Sequence, residues 1–204
     1  MRKLIKYIGA LVMVLAVSPV FAQQQQTGLM GISYNMASPT GNTNDFVSDM
    51  SFRGVTFDGR YFVHPRVSVG LSFGWNGFDE FVEDGRIEYD NGIVEGNQYR
   101  EIEAIPIMVT GHYYFDTYEF IRPYVGLGVG AVSLERSFDM SLKTYGDDSW
   151  HFGLTPEAGF IIPIGYQGFG IMANAKYNYM AGAKDVDSQG YWNFGVGVVV
   201  NLFD

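Results

Sequence analysis

Five ionisable side chains of this 204-residue chain could form a charged site. Each falls on the side of a predicted strand that otherwise carries glycine or small polar residues; they are Asp58, Arg60, His112, Glu157 and Lys176. Buried charges are costly unless they pair with opposite charges and form hydrogen bonds. Two acids and two bases make a balanced set, so we predict a structural salt-bridge network. A gate or a narrow conduction path is the alternative, and we expect no catalysis there.

The histidines and glycines do not indicate a metal or cofactor site. The chain has no cysteine and no HxH or HExxH spacing, so we expect no zinc site. Gly126, Gly128 and Gly130 are spaced by two with no predicted helix after them, unlike a nucleotide-binding loop. We predict no bound cofactor, and we expect these glycines to make room for bulky partners such as Tyr124 or Met172.

The charged residues owe their predicted place to a pattern that alternates with a period of two residues. Bulky apolar residues alternate with small or polar ones in eight segments, and successive side chains of a strand point to opposite faces. The segments are 28–36, 54–63, 67–76, 104–115, 123–132, 150–162, 169–179 and 190–203. Each has about the 9–11 residues that a tilted membrane strand needs. Pro106 and Pro156 weaken two of them locally, because proline lacks a donor for the strand ladder.

Composition and charge exclude several classes of protein. The formal net charge is −9, which argues against binding to nucleic acid. Residues 1–22 have a basic start, an apolar run and small residues before a cleavage position, which predicts a cleaved signal peptide. Beyond that segment, no apolar run approaches the roughly 20 residues of a spanning helix. We therefore predict a signal peptide over 1–22 and a single β-barrel domain over 23–204.

The connections between the predicted strands alternate in length. Short turns are predicted at 64–66, 116–122 and 165–168, and longer polar loops at 37–53, 77–103, 133–149 and 180–189. Short turns at one end and long loops at the other are typical of outer-membrane barrels, whose long loops are extracellular. The pattern predicts an all-β, eight-stranded, antiparallel, up-and-down transmembrane β-barrel with short periplasmic turns.

Aromatic residues fall near both ends of the apolar faces, as expected of rings that favour the headgroup level of a membrane. The predicted girdle consists of Trp75, Trp150, Trp192, Tyr177 and Tyr179 at the extracellular end, with Tyr61, Tyr113 and Phe115 at the periplasmic end.

The chain resembles the small eight-stranded outer-membrane β-barrels, the group that contains the OmpA transmembrane domain, OmpX and OmpW-like proteins. The resemblance rests on the Ile105-Pro106-Ile107 and Tyr113-Tyr114-Phe115 motifs, on the Arg122–Gly130 stretch, and on the aromatic last strand. It implies location in the cell outer membrane, contact with outer-membrane lipids and lipopolysaccharide, and insertion by the barrel-assembly machinery. Members of the group usually end on a lipid-facing aromatic, whereas Asp204 follows Phe203 here, so either Leu202 or Phe203 is the lipid-facing terminal residue.

The resemblance is almost silent on activity. We expect a structural or surface-interaction role, with a lumen plugged by charged side chains, and no enzymatic activity. One alternative is a narrow channel for small or hydrophobic solutes, as in OmpW-like members. Another is a lipid A-modifying enzyme, for which His151 with Ser149, Asp147 or Asp148 is the candidate group.

The second long loop is strongly acidic. Asp90-Asn91-Gly92 has the chemistry of a tight hairpin turn and lies between segments that favour strands. We predict a β-hairpin that projects above the membrane with a solvated acidic surface. Divalent cations that bridge it to lipopolysaccharide, or an extracellular ligand or protein that pairs along its edge, are the possible partners.

Overall fold

The computed structural model describes residues 28–89, 92–115, 120–140, 143–164, 168–183 and 187–202. Its eight strands are β1 (Gly28–Thr40), β2 (Ser51–His64), β3 (Val67–Tyr89), β4 (Gly92–Tyr114), β5 (Arg122–Met140), β6 (Lys143–Ile164), β7 (Phe169–Met180) and β8 (Gln189–Asn201), with one short helix, α1 (Asn42–Phe46). Neighbouring strands pair antiparallel, and β8 pairs with β1 to close the barrel. The predicted eight-stranded up-and-down barrel is confirmed. The predicted signal peptide lies outside the described residues.

The two faces of the wall differ as the alternation predicts. Large apolar side chains point outward and are widely exposed, with Leu71 at 65% and Val109 at 63%. The inward side chains include many buried polar groups, such as Ser33, Thr56 and Asn76. A water-soluble protein has the opposite arrangement, because apolar burial is the main driving force of its folding. This wall therefore suits an apolar solvent outside and a packed interior.

Strands β3 to β6 are much longer than the others. They have 19–23 residues, whereas β1, β2, β7 and β8 have 12–14. The predicted hairpin between β3 and β4 is confirmed, although its tip at 90–91 lies outside the described residues. The predicted polar loop at 133–149 is wrong, because the ladder between β5 and β6 continues to the pair Met140–Lys143. At the start of this stretch the outward residues Ser133 and Glu135 are polar and the inward residue Leu134 is apolar, which reverses the pattern of the barrel wall while the strands continue.

The first long connection contains a helix that the sequence did not predict. Helix α1 is a single turn of five residues, too short to show helical periodicity. The Thr43 hydroxyl donates to the Gln189 amide oxygen at 2.8 Å and accepts from the Gly190 backbone N–H at 3.0 Å. The next residue after the helix, Val47, is fully buried. The connection therefore folds inward over the end of the barrel. Within the described residues, no helix is long and apolar enough to cross a membrane.

Both prolines interrupt a ladder without changing the register. The pairs between β3 and β4 skip from Phe73–Ile107 to Asn76–Ala104, and Pro106 lies in this gap. The pairs between β6 and β7 similarly skip over Pro156. There the Thr155 hydroxyl donates to the Asn178 side-chain oxygen at 3.1 Å and links the two strands. Proline removes a ladder donor, so the gaps have a direct cause.

Candidate functional site

The charged side chains predicted for the interior meet in the middle of the lumen. The Arg60 Nη2 atom lies 3.1 Å from Glu157 Oε1 and 3.9 Å from Asp58 Oδ1. The Lys176 Nζ atom lies 3.4 Å from Asp58 Oδ2 and 3.5 Å from Glu157 Oε2. All four side chains are almost completely buried. Two cations and two carboxylates thus alternate in a closed, electrically balanced group.

His112 completes the group from strand β4. Its Nε2 atom lies 3.5 Å from Glu157 Oε2, and its Nδ1 atom lies 3.4 Å from the Ser68 hydroxyl. The ring occupies the space beside Gly126, where a Cβ atom would overlap it. This glycine makes room for a bulky partner as expected, but the partner is the cross-strand neighbour His112 and not Tyr124 or Met172.

Two tyrosines that were not among the predicted site residues, Tyr114 and Tyr124, belong to the same group. The Arg60 guanidinium donates to the Tyr114 hydroxyl at 3.1 Å and to the Tyr124 hydroxyl at 3.2 Å. The Tyr124 hydroxyl donates to Glu157 Oε1 at 2.6 Å, and the guanidinium lies 4.5 Å from the centre of the Tyr124 ring. The period-two pattern already placed Tyr124 on the interior side of its strand, and this placement could have identified it as a member of the group.

Apolar clusters fill the lumen on both sides of the charged group. The cluster toward the hairpin end consists of Ala37, Val47, Phe78, Ile102, Ala104, Met108, Val132, Leu134, Met180 and Tyr191. The cluster toward the turn end consists of Leu29, Phe62, Tyr114, Tyr124, Ile161, Met172 and Val199. Two cavities in the lumen have volumes of only about 20 and 30 Å³. The interior is a sequence of apolar, polar and apolar layers.

Ser149 and His151 form a hydrogen-bonded pair. The His151 Nδ1 atom lies 2.8 Å from the Ala181 carbonyl oxygen, so Nδ1 carries a proton and donates it. In the neutral ring Nε2 then accepts from the Ser149 hydroxyl, 2.7 Å away. Both side chains are buried toward the lumen, whereas Asp148 is exposed on the opposite face. The Asp147 side chain lies outside the described residues. The pair has the contact of a nucleophile and a base, but it faces packed protein.

Among the described residues, no group of three or more histidine and acidic side chains is placed to hold a metal ion.

The predicted girdle residues lie on the outer face in two rings. Toward the hairpin end, Trp192 pairs with Tyr177 across β7 and β8, and their ring centres are 5.0 Å apart. Toward the turn end, Tyr113 and Phe115 pack at 5.1 Å. All eight side chains are partly or widely exposed: Trp75, Trp150, Trp192, Tyr177, Tyr179, Tyr61, Tyr113 and Phe115. An apolar band such as Leu71 and Val109 separates the rings.

A sequence profile described as "Outer membrane protein beta-barrel domain" matches residues 8–201. The chain belongs to this family. Members of the family reside in the outer membrane, so the exposed apolar band is the lipid-facing surface. The turn end of the barrel is periplasmic and the hairpin end is extracellular. A comparison with curated proteins gave no significant match.

Three solved bacterial proteins have a similar fold. Neisserial surface protein A has a TM-score of 0.54 at 15% identity, over 86% of this chain and 96% of that one. Ail of Yersinia pestis, in complex with the heparin analogue sucrose octasulfate, has a TM-score of 0.51 at 16% identity, over 86% and 99%. OprG from Pseudomonas aeruginosa has a TM-score of 0.52 at 15% identity, over 89% of this chain and 98% of that one. At this identity the likeness concerns the fold.

Proposed function

We propose that this outer-membrane barrel acts at the cell surface, through the sheet that β3 to β6 extend beyond the barrel, and that its lumen is sealed. The observation that supports the proposal is the combination of long extracellular strands with an interior closed by two apolar clusters. Export through the signal peptide over residues 1–22 is part of the same proposal.

The extended sheet has edges that a partner could use. Among the described residues, the pairing of β2 with β3 ends at Gly77 and that of β7 with β6 ends at Gly153, beyond which the Ala181 backbone N–H donates to the Phe152 carbonyl oxygen at 2.9 Å. Beyond these points β3 continues to Tyr89, which is roughly 40 Å along the strand at about 3.3 Å per residue. The Ser48 backbone and hydroxyl bond to Glu80 and cover the beginning of the β3 edge. From Phe81 onward, this edge offers backbone donors and acceptors to a partner strand.

The charge of the sheet favours a basic partner. Residues 77–103 contain nine acidic and two basic residues. The related fold of Ail was solved with a sulfated, strongly anionic ligand. An acidic surface would repel such a ligand, since like charges facing each other across an interface are unfavourable. A basic protein surface, or lipopolysaccharide bridged by divalent cations, is the chemically complementary partner.

The test removes the hairpin and keeps the barrel. Residues 81–99 are replaced by an Asn-Gly turn that joins Glu80 to Arg100, because these two residues face each other across β3 and β4. A second variant keeps the hairpin and replaces its acidic residues by Asn and Gln. Bacteria that display each form are tested for attachment to immobilised basic and acidic proteins.

We expect wild-type cells to attach to the basic proteins, and both variants to lose this attachment while still showing the heat-modifiable gel migration of a folded barrel. Equal attachment by all three forms would contradict the proposal.

A further inference from the structure

A polar cavity lies between the charged group and the extracellular apolar cluster. Its volume is about 20 Å³, and its lining includes Thr110, Thr155, Lys176, Asn178 and Asn193. Met108, a member of the apolar cluster, closes one side of it. The cavity is therefore a polar space inside the protein, with charged groups on one side and apolar groups on the other.

Three atoms on the lining side chains have no hydrogen-bond partner among the described residues. They are Thr110 Oγ1, Asn178 Nδ2 and Asn193 Oδ1. All three residues are at most 5% exposed. A buried polar group without a partner costs about 1–3 kcal/mol, so such groups are nearly always satisfied, often by ordered water.

The contacts of Lys176 point to the same space. Its Nζ atom lies 3.4 Å from both Asp58 carboxylate oxygens and 3.5 Å from Glu157 Oε2. Charge-assisted hydrogen bonds of this kind are usually about 2.7–2.9 Å long. The ammonium group lines the cavity and has three N–H donors, so its direct contacts leave it able to donate to a further acceptor there.

We propose that this cavity is a binding site for ordered water, which completes the hydrogen bonds of the lumen. The lining offers both a donor, the Asn178 amide, and an acceptor, the Asn193 amide oxygen. Water can accept from one and donate to the other, whereas an anion can only accept. A metal cation would lie beside the Lys176 ammonium group, which repels it. A water needs about 10–15 Å³ and two to four polar partners, and both conditions are met.

The orientations of the Asn178 and Asn193 side-chain amides follow from the hydrogen bonds that they make outside the cavity. Asn178 Oδ1 accepts from the Thr155 hydroxyl at 3.1 Å, which directs its Nδ2 atom to the cavity. Asn193 Nδ2 donates to Asn76 Oδ1 at 2.9 Å, which directs its Oδ1 atom to the cavity. The water is therefore held between groups that the strands already orient.

The test detects water at these side chains in the full-length barrel. The protein is placed in lipid nanodiscs, and magnetisation transfer from water is measured to the Asn178 side-chain amide and the Thr110 methyl group. The matched control is the Val132 methyl group, which is equally buried but belongs to the apolar cluster. We expect transfer to Asn178 and Thr110 and none to Val132. The absence of transfer at Asn178 and Thr110, with normal transfer at exposed side chains, would overturn the proposal.

Two further measurements identify the ligand and its partners. Crystals grown in bromide are expected to show no anomalous peak in the cavity. A bromide peak there would mean that the cavity binds an anion, and would contradict the water site. In Thr110→Val the hydroxyl is lost with little change of shape, and we expect the transfer to the Asn178 side-chain amide, measured in both variants at residue 110, to fall. Thr110→Ser keeps the hydroxyl and should keep water beside it. Equal transfer in both variants would contradict the role of the hydroxyl.

Discussion

At the scale of single residues, Glu157 is the most connected group of the lumen. Its carboxylate contacts the Arg60 guanidinium, the Lys176 ammonium, the His112 ring and the Tyr124 hydroxyl. Loss of this negative charge leaves two buried cations with only Asp58 as a counter-charge. The stability of the polar layer therefore depends on this side chain more than on any exposed ion pair.

We expect Glu157→Gln to lower the free energy of unfolding by about 3–5 kcal/mol, because it breaks a buried charge network. The measurement is a urea titration in lipid vesicles, followed by tryptophan fluorescence. Asp79→Asn is the matched control, since Asp79 pairs with Arg53 while both side chains are more than 40% exposed. An exposed pair contributes about 0–1 kcal/mol. Equal effects of the two substitutions would contradict the network.

The Ser149–His151 pair also has a test at this scale. We expect His151→Ala to leave lipid A unchanged in mass spectrometry of whole cells, because both side chains face the packed lumen. The variant should cost about 0.5–1.5 kcal/mol of stability for each lost hydrogen bond. Ser149→Ala serves as a second variant with the serine removed and the ring retained. A lipid A species lost from both variants would instead support a modifying enzyme.

The interior charges could be predicted from the sequence because each stands out against small neighbours at period two. Tyr114 was missed although it lies two residues after His112 on the same side of the strand, because aromatic residues occupy both sides of the run Tyr113-Tyr114-Phe115. Burial separates them, with Tyr114 at 1% and Tyr113 at 42% exposed. The sequence showed only that Ser149 and His151 lie close together along the chain. That both side chains point into the lumen became clear only from the position of β6 in the barrel.

At the scale of elements, several glycines allow the strands to curve and pack. A Cβ atom at Gly197 in β8 would overlap the Ile32 carbonyl oxygen of β1, and one at Gly130 in β5 would overlap the Ile107 carbonyl oxygen of β4. These positions lie at the closure of the barrel and inside its wall. By contrast, a Cβ atom at Gly59 meets nothing within 4 Å, because this glycine lies on the outer face.

We expect Gly197→Ala to destabilise the barrel by about 1–3 kcal/mol or more, since the added methyl group meets backbone that cannot move aside easily. Gly59→Ala makes the same chemical change on the lipid face and should be nearly neutral. The folded fraction of each variant is measured by heat-modifiable gel migration after refolding into detergent micelles. A folded fraction for Gly197→Ala equal to that of Gly59→Ala would contradict the close approach of β8 to β1.

The strand cores were predictable, but their ends and mutual register were not. Bulky apolar residues mark the outer face of a strand only where that face meets lipid, so the pattern was missed at 133–149, where Ser133 and Glu135 face outward and Leu134 faces the lumen. The neighbours of Gly128 show the second limit. Met108 lies beside it, 3.3 Å from where a Cβ atom would be, instead of the expected Tyr124 or Met172. Which side chain fills a given space depends on the register, which alternation within single strands does not determine.

At the scale of the whole molecule, the proposed sealed lumen distinguishes a role at the cell surface from transport. Apolar clusters close the lumen above and below the charged group. An eight-stranded barrel is just wide enough for side chains to fill it. We expect the purified protein to form no steady pores of porin size in planar bilayers, at any voltage at which the bilayer itself is stable.

A variant of the extracellular apolar cluster tests whether side-chain packing prevents conductance through the lumen. Tyr191→Ala and Phe78→Ala remove two rings that pack at 5.2 Å in the extracellular cluster. If side-chain packing seals the barrel, the double variant should show more frequent current events than wild type. Reproducible porin-sized conductance of the wild-type protein would contradict the sealed lumen and favour the narrow-channel alternative.

The unequal lengths of the strands have a mechanical consequence. The tips at Tyr89 and Met140 belong to the same strands that form the barrel wall, so a pull on a bound partner acts along those strands. Ladder hydrogen bonds lie across that direction and are loaded together in shear, rather than opened one after another. If the extended sheet binds a partner as proposed, force on that partner would pass directly into the membrane of the attached cell, because β3 and β5 are continuous over their described residues.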